Sequence, residues 1–159
     1  TTKFHCEAAE DFNYEDYEDT FDIIFTSPPY FNVERYSHDD TQSWVRYKDI
    51  NNWNTQFLQK ALDNMLPTLR SGGKLCVNIS DVYNGGEWKK ICDPMNDFIQ
   101  SYGDMEYKGC IGMEMAKRPN SGGAGTAKDT KQYTEESLQL AKETKNKRFC
   151  EPIWIWEKK

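Results

Sequence analysis

The feature that most constrains this chain is residues 21–30, Phe-Asp-Ile-Ile-Phe-Thr-Ser-Pro-Pro-Tyr. The first six are β-branched, aromatic or short, and too few for a buried helix. They predict a strand buried on both faces. Ser27-Pro28-Pro29 stops it, because proline has a fixed φ and no N–H to give a ladder. A strand covered on both faces belongs in a layered sheet, with helices supplied from elsewhere in the chain.

The remaining sequence offers such layers. Residues 2–6 can form a short strand, and the acidic stretch after them a helix turn and loop. Residues 31–50 have no clear period and read as a loop. Residues 51–69 carry Phe57, Leu58, Ala61, Leu62, Met65, Leu66 and Leu69 at helical spacing. Asn51 or Asn52 is the expected cap, Pro67 should kink or tighten the last turn, and Ser71-Gly72-Gly73 should end the helix. Residues 74–79 read as a second buried strand. Residues 87–101 read as a second helix with Trp88, Ile91, Cys92, Met95, Phe98 and Ile99 on one side. Residues 105–116 and 149–157 read as further strands; without a helical crossover between them, they can pair antiparallel. Trp154 and Trp156 alternate with Ile153 and Ile155 as packing residues. The expected fold class is α/β, one sheet mostly parallel with an antiparallel last strand.

At 159 residues the chain is one domain or a large piece of one. No apolar run reaches membrane-spanning length, so no membrane partner is expected. Five dispersed cysteines, an odd number without paired spacing, predict reduced thiols and a cytoplasmic setting rather than disulfides. No Cys/His grouping has metal-ligand spacing, so no metal is expected. The net charge is −6, yet it is unevenly spread. Residues 7–22 hold eight acids and no Lys or Arg, whereas residues 117–148 hold eight basic residues against four acids. The second segment, Gly-rich around Asn120–Thr126, reads as a flexible basic insertion able to meet a phosphate backbone, with a short exposed helix over 133–145. An ordinary solvated face explains the same composition.

In open α/β sheets, ligands sit beyond the carboxyl ends of the strands, where Ser27-Pro28-Pro29-Tyr30 falls. Those residue types suit one chemistry. The exocyclic amine of a nucleobase is a poor nucleophile, because its lone pair is delocalised into the ring. Acceptors placed on its protons can hold the amine so that the lone pair points at a methyl donor. The Ser27 side chain and the Pro28 carbonyl are candidate acceptors, Pro29 stiffens the corner, and Tyr30 can stack on an extruded base.

The stretch from Phe21 to Tyr30 resembles motif IV of the S-adenosylmethionine-dependent DNA amino-methyltransferases, which make N4-methylcytosine or N6-methyladenine. Serine in the first place of the tetrapeptide resembles the cytosine-N4 branch; the adenine-N6 branch more often has Asp or Asn there. Residues 69–79, Leu-Arg-Ser-Gly-Gly-Lys-Leu-Cys-Val-Asn-Ile, are similar to the family's next helix end and strand. Residues 150–158 are similar to its final strand, and residues 5–12 to the strand and turn before motif IV. Residues 117–148 match poorly. The resemblance implies a Rossmann-like methyltransferase sheet and DNA as partner. It implies S-adenosylmethionine as cofactor, with Ser27, Pro28, Pro29 and Tyr30 as catalytic residues. Glu7, Ala8 and Ser27 become candidates for the cofactor, and Phe31, Tyr36, Asp81, Lys117 and Arg118 for nucleic acid. Asn32 and Glu34, which follow the motif directly, and Tyr83, just past the second buried strand at the same edge of the sheet, are placed to line the same pocket.

The family's Gly-rich loop after a first strand is missing. The expectation is therefore that residues 1–159 form a partial catalytic domain lacking its first strands, with an exposed sheet edge able to self-associate. Three alternatives stay open: adenine-N6 methylation, a catalytically incomplete nucleic-acid-binding module of the same fold, and a methyltransferase acting on RNA or a protein amide.

Overall fold

The computed structural model describes residues 2–114 and 150–159, apart from the side chains of Glu114 and Cys150. Residues 115–149 lie outside the described residues, and with them the expected basic insertion over 117–148, its helix over 133–145, and Lys117 and Arg118.

A four-stranded sheet organises the chain, in the order β1-β2-β6-β5. Its members are β1 (Phe21–Thr26), β2 (Leu69–Asn78), β5 (Met105–Glu114) and β6 (Cys150–Lys158). β1 and β2 pair in parallel, while β6 is antiparallel to both β2 and β5. Three strands therefore share a direction and β6 opposes them, as the sequence predicts. A small hairpin, β3 (Val82–Asn84) with β4 (Glu87–Lys89), follows the end of β2. Residues 2–6 form no strand, and the turn at residues 8–12 is held instead to the helical layer. There Asn64 donates to the Glu10 carbonyl at 2.9 Å and Arg46 pairs with the buried Glu10 carboxylate at 2.7 Å.

The loop expected over residues 31–50 contains a short helix, α1 (Ser43–Arg46). The long helix α2 then runs over residues 50–68. It begins as Ile50–Asn52, widens into a π-helical stretch over Trp53–Gln59, resumes over Lys60–Met65 and tightens into a 3-10 turn over Leu66–Thr68. Its cap is Asp49, whose side chain accepts from the Asn52 amide, rather than Asn51 or Asn52. Pro67 falls at the start of the 3-10 turn that ends the helix, in keeping with the tightened last turn expected from the sequence.

Ser71-Gly72-Gly73 does not follow the helix as a stop; it lies within β2. Two residues of β1 span five of β2 here, since Phe21 faces Leu69 and Ile23 faces Lys74. The extra residues loop out as a bulge. Gly72 takes φ +80°, and a Cβ on Gly73 would sit 2.8 Å from the Arg70 carbonyl oxygen. Both glycines are thus required by the bulge.

α3 spans Cys92–Gln100, shorter than the expected 87–101, because Glu87–Lys89 belongs to the hairpin. Its buried residues Cys92, Met95 and Ile99 recur at three- and four-residue steps. They join Leu58, Leu62, Leu66, Leu75, Val77, Trp154 and Trp156 in one core between the helices and one face of the sheet. The opposite face is bare in part. The sequence predicts β1 buried on both sides, yet Ile23 is 58% and Phe25 59% exposed. Only Ile24, on the alternate face, packs against the core.

Candidate functional site at the ends of the strands

The carboxyl ends of β1 and β2 meet the first residues of β6, because β6 runs the other way. The proline corner sits on this edge. Ser27 is exposed, Pro28 is buried, and Pro29 and Tyr30 are partly buried. The Ser27 hydroxyl donates to the Asn78 side-chain oxygen at 3.3 Å, and the Asn78 amide donates to the Pro152 carbonyl at 3.0 Å. Asn78 thus ties the motif to both neighbouring strands. The Tyr30 hydroxyl donates to a Glu151 carboxylate oxygen at 3.1 Å. Burial first, and then the negative charge of Glu151, push the Tyr30 phenol well above its ordinary pKa; a bond with Ser80 acts the other way.

The backbone after the motif is equally fixed. The Phe31 amide donates to the Pro29 carbonyl at 2.9 Å, and the Val33 amide to the Tyr30 carbonyl at 3.0 Å. The Tyr30 amide donates to Glu34 at 3.1 Å, and Glu34 also accepts from the Tyr36 hydroxyl at 2.8 Å. Among the described residues the Pro28 carbonyl accepts no hydrogen bond. Phe31 is 3% exposed and has φ +49°, unusual for a bulky residue. Its ring meets Trp53 edge-on, with centroids 6.0 Å apart, on the π-helical stretch of α2. The side chain is a core anchor at the end of the corner and is not available to a base.

The other expected site residues fall in different places. Tyr36 is 69% exposed, beside the motif. Tyr83 is exposed on the hairpin and packs on Trp88, with centroids 5.2 Å apart. Asn84 of the same hairpin bonds Asn32, so hairpin and post-motif loop form one ridge. Asp81 is turned inward. Its carboxylate accepts from the amides of Ile91 and Cys92, at 2.8 and 3.0 Å, and from Lys90 at 2.9 Å. That makes it the anion at the start of α3, with its side chain 5% exposed, rather than a group facing nucleic acid. Glu7 is exposed and Ala8 partly buried; the bonds of this turn run within itself and to the helical layer, not to Ser27.

The cofactor candidates can be tested against the donor set. The described glycine pairs lie in the β2 bulge and in the turn between β3 and β4. Neither joins the end of a sheet strand to a helix N-terminus, the arrangement that cradles a nucleotide's charged groups. The described residues therefore do not by themselves make a nucleotide cradle.

A family model described as DNA methylase, of the N6/N4 type, matches residues 21–159. The chain belongs to this DNA methylase family. Its structural relatives include TTHA0409 of Thermus thermophilus, described as a DNA modification methylase. One structure of that protein aligns at 16% identity and a TM-score of 0.55, covering 96% of this chain and 52% of that chain. Its complex with S-adenosyl-L-methionine aligns at 17% identity and a TM-score of 0.53, covering 95% and 53%. PvuII DNA methyltransferase, cytosine-N4-specific, aligns at 11% identity and a TM-score of 0.49, covering 95% and 45%. The chain thus spans about half the length of the solved structures it matches. Comparison with curated protein sequences finds no match. Among the described residues, no helix is long and apolar enough to cross a membrane.

Three groups at this edge had no signal of their own in the sequence: Asn78, Ser80 and Glu151. Their order along the chain does not show that the antiparallel β6 lies beside β2, which is what brings residue 151 to residue 30.

Proposed function

We propose that this chain is the base-handling part of a DNA methyltransferase that transfers a methyl group from S-adenosylmethionine to the exocyclic amine of an extruded base, cytosine N4 in preference to adenine N6. The observation that carries the reading is the rigid corner at Ser27–Tyr30, on the open edge of the sheet, with one acceptor exposed and an aromatic ring anchored beside it. Ser27 and the Pro28 carbonyl accept from the two amine protons. The nitrogen lone pair is then turned out of conjugation and toward the donor. Tyr30 stacks on the base and holds it out of the duplex. Fixing these groups before the base arrives lowers the entropic part of the barrier. Bound S-adenosylmethionine would supply an electrophilic methyl group, and Ser27 and the Pro28 carbonyl would keep the amine nitrogen turned toward it. The serine in first place supports cytosine as the target.

Tyr36, and Lys117 and Arg118 from the basic segment, are proposed to meet DNA phosphates or flanking bases. Glu7 and Ala8 remain proposals for the adenine of the donor. The bare edge of β1 is proposed to pair with a second copy of the chain, since an unpaired strand carrying Ile23 and Phe25 invites strand addition.

The test incubates the protein with S-adenosylmethionine and a duplex pool of random sequence, digests the DNA and weighs the nucleosides. N4-methylcytosine is expected. N6-methyladenine would move the target to the other branch, and no methylated nucleoside would contradict the enzyme reading. A second reading, a nucleic-acid-binding module that does not complete the cofactor site, is favoured by the lack of a nucleotide cradle among the described residues and by the half-length match. It predicts DNA binding with no methyl transfer.

A further inference from the structure

We propose that Glu151 is a positioning residue for Tyr30: the carboxylate at the start of β6 fixes the phenol hydroxyl and so sets the ring before a base arrives. This rests on the functional reading above, because it concerns how the stacking ring is held.

The geometry has three independent parts. The hydroxyl-to-carboxylate distance is 3.1 Å, between residues 121 positions apart in sequence. Glu151 is only 6% exposed. A carboxylate kept out of water is costly unless donors satisfy it, and an apolar residue at this strand position would be the cheaper structural choice. The adjacent residue, Pro152, holds Asn78 through its carbonyl, and Asn78 meets Ser27. Consecutive residues of β6 therefore anchor both ends of the tetrapeptide. Phe31, buried with a left-handed backbone, pins the next position. Tyr30 is thereby clamped at its hydroxyl by Glu151 and at its backbone by Glu34, which accepts from its amide, and by Val33, whose amide donates to its carbonyl.

This clamp also has an electronic consequence. A phenol donating to a carboxylate carries more electron density in its ring, and the ring face becomes more negative. The base gains positive character as its amine is alkylated, and a negative ring face stabilises that charge. Glu151 thus acts through Tyr30 in two ways, by orientation and by polarisation, without touching the base.

The test uses the full chain labelled with 13C at tyrosine Cζ. The Tyr30 resonance is assigned by its loss in Tyr30→Phe. In Glu151→Ala that resonance is expected to move toward the values of the exposed tyrosines, while Glu151→Gln, which keeps an acceptor, moves it less. In methyl transfer to the random duplex pool, Glu151→Ala is expected to lower kcat about tenfold with KM for DNA little changed, and Glu151→Gln to recover part of the loss. The double variant Tyr30→Phe/Glu151→Ala should be no slower than Tyr30→Phe alone. An unmoved Tyr30 resonance overturns the proposal whether or not methyl is transferred. Losses that multiply in the double variant overturn it too, since Glu151 would then act independently of the hydroxyl. A moved resonance in a protein that transfers no methyl supports the contact and places the failure in the functional reading instead.

Discussion

The two faces of the four-stranded sheet carry similar residues and meet different surroundings. On one, Leu75, Val77, Trp154 and Trp156 lie under α2 and α3. On the other, Ile23 and Phe25 are more than half exposed. The β1 sequence has the apolar run of a strand covered on both sides, yet among the described residues it is covered on one. Composition therefore records what a strand is suited to bury, while the coordinates record what is there to bury it. Among the described residues the contrast marks the β1 side as the open one.

The largest expected effect separates those faces directly. Leu75→Ala, at a fully buried position on the covered face, should cost about 2–5 kcal/mol in urea unfolding, whereas Ile23→Ala should cost under about 1 kcal/mol. Similar losses at both positions would mean that something covers β1 in solution. Next comes Asp81→Ala, which should destabilise by about 1–3 kcal/mol, because it strips the Ile91 and Cys92 amides of their acceptor. A variant with unchanged stability and weakened DNA binding would return Asp81 to the nucleic-acid surface.

Smaller still is Gly72→Ala, at about 1 kcal/mol by thermal melting, since its φ of +80° is strained for any side chain. Phe25→Lys should leave the melting midpoint nearly in place and shift sedimentation toward monomer. An unchanged mass distribution would remove β1 as a self-association edge. The smallest effect is in acid. Bonds from Lys60 and then Arg46 hold Asp11 below the ordinary carboxylate range. Its folded-state pKa is depressed, so its contribution is present above the unfolded value and lost as pH falls through the folded one. Asp11→Asn should therefore flatten the acid limb of a stability–pH curve slightly, and an identical limb would show that the pairs are screened away.

How much of this is legible in the sequence differs by kind of feature. The four strands of the sheet and the core stripe of α2 follow from residue pattern, which reports side-chain direction locally, and the antiparallel last strand follows from the missing helical crossover before it; the strand expected at residues 2–6 and the unforeseen hairpin show where pattern alone stops. The corner at 27–30 is legible because two prolines and a strand end leave few conformations. The Ser71-Gly72-Gly73 bulge reads as a helix stop in sequence, because glycines serve either turn and only the register against β1 tells them apart. Phe31 and Asp81 look like site residues by proximity. Their side chains turn inward, one to Trp53 and one to the amides opening α3. Asn78 and Glu151 are invisible in sequence as motif supports, since their roles depend on contacts across 51 and 121 residues of chain.

The oxygen-lined corner at Ser27 is held to do chemistry without carrying the fold. That separation is measured by initial-rate transfer of tritium from labelled S-adenosylmethionine to duplex DNA by Ser27→Ala, beside its melting midpoint. Transfer should fall to background while stability falls by only about 1 kcal/mol, the loss of one partly buried hydrogen bond to Asn78. Transfer at the wild-type rate from a folded Ser27→Ala protein would contradict the assignment.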